Sequence, residues 1–177
     1  MKLTTKSLIV CTALSMSLFA CTKDDNKNSN ALNDQDKNFM MQVSLGNSAE
    51  VAAGTLASTT GEDAMIKSFG QMMVTDHTTA QSDLKAVGTT VGVDVKDSVD
   101  ADHTALLQTL QGLSGRAFDS TYIINQIADH QKTVTDFQAE LNSGSRSEVK
   151  AFANKYLPTI QMHLQKADSI ATEMNFK

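Results

Sequence analysis

Four residues of this 177-residue chain are of metal-ligating type and stand where an apolar side chain is expected: Glu50, His77, His130 and His163. Each interrupts a stripe of apolar residues spaced alternately three and four apart, the pattern of a helix that buries one face. Burying an imidazole or a carboxylate without a partner costs several kcal/mol, so such groups are paired, bound to a metal or at the surface. Three imidazoles and one carboxylate suit a single divalent transition metal: zinc, iron, manganese or copper. The competing reading is metal-free, with the histidines bonded to one another, to Glu50 or to water. Asp76 and Asp129 each precede a stripe histidine. Neighbours on a helix point about 100° apart, so each reaches a histidine only on another helix, or else is a solvated boundary residue. Tyr122 is a further candidate for supporting the site. His103, on a short stripe of its own, reads as a half-exposed residue outside it.

Four long stripes must position the four residues. They run Phe39 to Ala57, Ile66 to Val87, Ile123 to Leu141 and Val149 to Met174. Glycines end the first three at Gly61, Gly88 and Gly144, Asp119 reads as the N-cap of the third, and Pro158 predicts a kink in the fourth. Counted from the tight turns, Glu50 lies 11 residues before Gly61 and His77 16 after it, while His130 lies 14 before Gly144 and His163 19 after it. The offset between arms is five in both hairpins. Lys67-Ser68-Phe69 and Lys150-Ala151-Phe152 extend the likeness, so the hairpins read as diverged repeats in which Glu50 matches His130 and His77 matches His163. Two such hairpins make a four-helix bundle. Residues 88 to 117 are too many for a turn and carry the short stripe Val99 to Leu113, which predicts a helical crossover and a parallel second and third long helix, as in ferritin-like bundles. An up-down-up-down bundle with a decorated loop is the alternative.

Composition agrees with an all-α chain of one domain: 41% hydrophobic, 5% aromatic, one proline and no tryptophan. The formal charge of −5 excludes the basic, aromatic face of a nucleic-acid binder. Residues 1–20 read as a secretory signal peptide, with Lys2 and Lys6 ahead of a short apolar run. The run ends in Leu18-Phe19-Ala20-Cys21, similar to a bacterial lipobox that makes Cys21 the lipidated residue; Cys11 competes less well because Val10 precedes it. Residues 21–35 then form a polar tether and residues 36–177 the bundle. Losing the two lysines takes the charge from −5 to −7. The expected place is the bacterial envelope, lipid-anchored, at the outer membrane. Lys23-Asp24-Asp25 is similar to a lipoprotein surface-export signal and equally to an ordinary tether. Met72, Met73 and Met162 flank the histidines, as copper ligands would or as routine core fillers do.

Glu50-Val51, Met73-Val74-Thr75-Asp76-His77, Phe118-Asp119-Ser120-Thr121-Tyr122-Ile123, His130, and Leu157-Pro158 followed by His163-Leu164 together resemble the domain of unknown function 4142 family over residues 36 to 172. The resemblance implies a ferritin-like bundle in the envelope and a ligand set, and brings no settled reaction. The chain departs from bridged di-iron bundles, which carry a Glu three residues before each of two histidines: Val74 and Ile160 stand there instead. Two functions stay open. One is an envelope lipoprotein binding one metal ion through Glu50, His77, His130 and His163 for storage, stress protection or redox work. The other is a structural or interaction module with a metal-free His/Glu network. No nucleophile and base pair favours a hydrolase.

Overall fold

The computed structural model describes residues 30–176. The expected signal peptide and lipidation site Cys21 lie outside that range. Five helices follow: α1 (Asp34–Thr60), α2 (Ala64–Val91), α3 (Ala101–Gln111), α4 (Gly115–Ser143) and α5 (Ser147–Glu173). They form a five-helix bundle in which α1 packs along α2 and α4 along α5, with α1 also against α4 and α2 against α5. The α1–α2 hairpin closes tightly because neither Gly54 nor Gly70 has a side chain. A Cβ on either would meet the other's carbonyl oxygen at 2.7 Å.

Two apolar clusters fill the bundle. One gathers Phe69, Phe118, Tyr122, Ile123 and Ile170, the other Phe39, Leu84, Phe137, Phe152 and Tyr156. Val93 and Val95 pack on the second cluster, while Leu106, Leu107 and Leu110 of α3 pack in or on the first. The chain between α2 and α4 therefore touches both clusters. On the way α3 lies against α1 and α4.

Several boundaries differ from the sequence reading. Helix α2 continues past Gly88 to Val91, and Gly92 takes the left-handed terminating conformation at φ 77°. Gly88 is needed for another reason, because a Cβ there would meet the Val93 carbonyl oxygen at 2.6 Å as the chain folds back. Helix α4 starts at Gly115, after Ser114, so Asp119 lies inside it and does not cap it. Pro158 does not end α5, in keeping with the expected kink and not a break. The folded part begins before residue 36: Asn33 and Asp36 form a reciprocal capping box on α1, and the Asn30 side chain accepts from the Ser147 N–H.

Asp119 clamps the opposite hairpin. Its two carboxylate oxygens accept the N–H groups of Glu62 and Asp63, both at 2.9 Å, in the α1–α2 turn. Asp36 holds the α4–α5 turn through one oxygen, its Oδ1 accepting from the Ser145 and Arg146 N–H groups at 3.0 and 3.1 Å. Each aspartate lies 25 residues before the glycine of its own hairpin turn, Gly61 or Gly144. The repeat is thus visible in three dimensions, but in a register that matches His130 to Asn47 and not to Glu50.

Candidate metal centre

Between the two apolar clusters lies a polar layer. His77 on α2, His130 on α4 and His163 on α5 are buried at 5%, 2% and 0% exposure, and one ring nitrogen of each lies within 4.8 Å of the others. The rings meet with centroids 5.4 to 5.8 Å apart. The last three stripes each supply one histidine at this height because apolar residues elsewhere on the stripe pack inward and fix the rotation of the helix.

The hydrogen bonds decide the tautomers. His77 donates from Nδ1 to the Asn47 side-chain oxygen at 2.9 Å. His130 donates from Nδ1 to the Gln126 carbonyl at 2.9 Å. His163 donates from Nε2 to the Asp76 carboxylate at 2.9 Å. The remaining nitrogens, Nε2 of His77, Nε2 of His130 and Nδ1 of His163, are buried without a hydrogen-bond partner. Each is the lone-pair side of a neutral ring, and a neutral imidazole oriented through its second nitrogen is how metal-binding histidines are held. Three acceptors facing one another with no donor among them leave each at a cost of about 1–3 kcal/mol. Burial holds all three rings neutral: His130 and His163 are pushed down to about 4, and His77 well below its usual value by burial and by the other two histidines.

Glu50 stands apart from this trio. Its Oε2 accepts from the Gln126 amide at 2.7 Å, and its Oε1 lies 3.7 Å from Nδ1 of His130, the nitrogen already used in a hydrogen bond. Glu50 is therefore behind His130. Burial raises its carboxyl to about 7 against the opposing Gln126 hydrogen bond. Asp76 serves His163 across the α2–α5 contact, the role considered for it. Tyr122 is fully buried with an unpartnered hydroxyl, and burial followed by the charge of Glu50 holds its phenol well above the usual range. Met72 and Met73 pack in the apolar cluster beside Phe69, and Met162 is exposed.

Sequence reasoning missed the groups that orient the rings. Asn47 not only receives His77 but donates to Gln81 at 3.2 Å, and Gln81 donates to Ser44 and Asp97, both at 3.0 Å. Asp97 is paired at 2.6 Å with Lys85. A polar chain thus links His77 to a surface ion pair. Asn47 and Gln81 carried a detectable signal, since both are polar residues one turn from a stripe position. His103, set aside as half-exposed, donates from Nδ1 to Asp100 at 2.7 Å and lies 4.0 Å from Asp129.

The domain of unknown function DUF4142 matches residues 21–170. The chain belongs to this family. Among solved structures it is similar to the crystal structure of a DUF305 fragment from Deinococcus radiodurans, with a TM-score of 0.71 and 12% sequence identity over 81% of this chain and 99% of that one. At that identity the likeness shows the helical fold alone. No curated protein matches. No helix among the described residues is long and apolar enough to cross a membrane.

Proposed function

We propose that this DUF4142 domain binds one divalent transition-metal ion through His77, His130 and His163, in a ferritin-like arrangement of its long helices, as a lipid-anchored module of the bacterial envelope with Cys21 as the anchor. The observation that carries the reading is the set of three buried, unpartnered ring nitrogens sharing one space, each on a ring whose other nitrogen is fixed by an oxygen. Asn47, the Gln126 carbonyl and Asp76 hold the rings; Glu50 supports His130 from behind and supplies negative charge to the layer. Zinc, iron, manganese and copper all accept imidazole nitrogen, and three protein ligands leave a further position open, as storage, stress protection or redox work requires and a closed structural zinc site does not provide.

A second reading is favoured by the contacts already made. Every histidine has a hydrogen bond, and His163–Asp76 and His130–Glu50 pair imidazole with carboxylate at 2.9 and 3.7 Å. On that reading the layer is a metal-free network that fixes the register of the helices. Elemental mass spectrometry on the purified protein, before and after loading with each of the four metals, separates the two. The metal reading expects one ion per chain, lost in His163→Ala and kept in His103→Ala. No ion after loading, together with a melting temperature indifferent to chelator, establishes the network.

A further inference from the structure

The polar layer is open on one side. A cavity of about 300 Å³ is lined in part by His77 and His130, whose Nε2 atoms are buried without a hydrogen-bond partner. It is lined by residues of all five helices, and its outer part by Asp100, Asp102, His103, Asp129 and Asp136. Lys132 is the lysine among the lining residues and is paired with Asp136 at 2.7 Å. His103 bridges the rim, bonded to Asp100 and 4.0 Å from Asp129. Gly46 sits in the wall, and a Cβ added there would meet nothing within 4 Å.

Phe69, Met73 and Tyr122, all buried, fill the bundle toward one end; toward the other Phe39 is buried, and Phe137 and Phe152 line the cavity itself. A hydrated divalent cation does not cross such layers, because stripping its water without replacing it costs far more than the packing can return. A cleft lined by one sign of charge raises the local concentration of the opposite ion and its rate of entry, by about 10- to 1,000-fold.

We propose that this acid-rimmed cavity is the passage through which a divalent cation reaches His77, His130 and His163, with the Asp100–His103–Asp129 rim as the port where it first exchanges water for protein ligands. The proposal rests on the metal reading above and adds to it the route. The rim carboxylates draw the ion in, His103 and Asp129 offer it an imidazole and an oxygen, and the absent side chain at Gly46 keeps the way open. The acidic residues govern how fast the ion arrives; the three buried nitrogens govern how tightly it stays.

The test is stopped-flow loading of Co(II) into the metal-free full-length protein, followed by its visible absorbance, beside Gly46→Leu and Asp102→Lys. Gly46→Leu adds a side chain at a wall position where a Cβ meets nothing within 4 Å, and is expected to slow loading and release together by about tenfold while the dissociation constant stays within about twofold. Asp102→Lys, at an exposed position, is expected to slow loading by a factor that shrinks as salt is raised. Wild-type loading rates in both variants overturn the passage while leaving the metal site standing. A wild-type protein that takes up no Co(II) overturns the metal reading and the passage with it.

Discussion

Lowering the pH from 7.5 to 5.5 separates a buried trio of imidazoles from an ordinary surface cluster. Three exposed imidazoles with the usual value near 6.5 are each about 90% protonated at pH 5.5, so competition with protons weakens metal binding roughly tenfold per ring, about a thousandfold or 4 kcal/mol in all. Here His130 and His163 sit at about 4 and His77 well below 6.5, because burial disfavours the charged ring. At about 4, roughly 3% of each ring is protonated at pH 5.5, and the loss from the rings together stays within a factor of about two. One other group counts. Glu50, raised to about 7 by burial, holds a proton at pH 5.5 that a nearby cation would expel. That exchange weakens binding by at most about 30-fold, or 2 kcal/mol, between the two pH values. Calorimetric titration of Zn(II), corrected for buffer binding, should therefore show a decline of about 30-fold or less in the wild type and almost none in Glu50→Gln. A thousandfold decline in Glu50→Gln would refute the claim that the histidines are the ligands and are held neutral by burial.

Three further perturbations test the supports of the site. Removing Asp119 (Asp119→Ala) strands two N–H groups in the α1–α2 turn; at about 1.5–3 kcal/mol for each charge-assisted bond, urea denaturation should show about 3–5 kcal/mol lost with the slope unchanged, against about 0.5 or less for the exposed Asp34→Ala. Asp76→Ala frees His163 to turn its proton toward the centre, and metal affinity should fall about 10- to 100-fold, with Asp76→Asn, which keeps an accepting oxygen, recovering most of it. Glu140 is fully buried and raised to about 7, by burial first and then by Asp36. Its raised value means the folded state holds the proton more tightly, so this contribution is present in full below about 4.5 and lost as pH rises through 7. Glu140→Gln should melt higher than the wild type at pH 8 and show a flatter profile between pH 5 and 8; equal melting curves at pH 8 would exclude a buried charge there.

Much of this was legible in the residues. The three-and-four spacing gave four long helices, because a helix that buries one face must repeat its apolar residues with its own period. The same rule flagged His77, His130 and His163, each a polar interruption of its stripe, and the excess length of residues 88 to 117 gave the added helix between the hairpins. Asp119 was misplaced for a local reason: an aspartate just before an apolar run is the usual sign of an N-cap, and nothing nearby in sequence tells that its carboxylate reaches a turn 56 residues earlier.

The sequence by itself determined the azimuth of each side chain on its own helix, and therefore which residues face inward. Only the tertiary structure decided how the helices are rotated and offset against one another, because that is set by side chains meeting across helices, such as the close approach at Gly54 and Gly70 and the reciprocal clamps of Asp36 and Asp119. An error of a single helical turn on α1 exchanges Asn47 for Glu50. That turn is why the carboxylate expected beside three imidazoles lies behind one of them, and why an amide, a backbone carbonyl and Asp76 fix which nitrogen of each ring faces the centre.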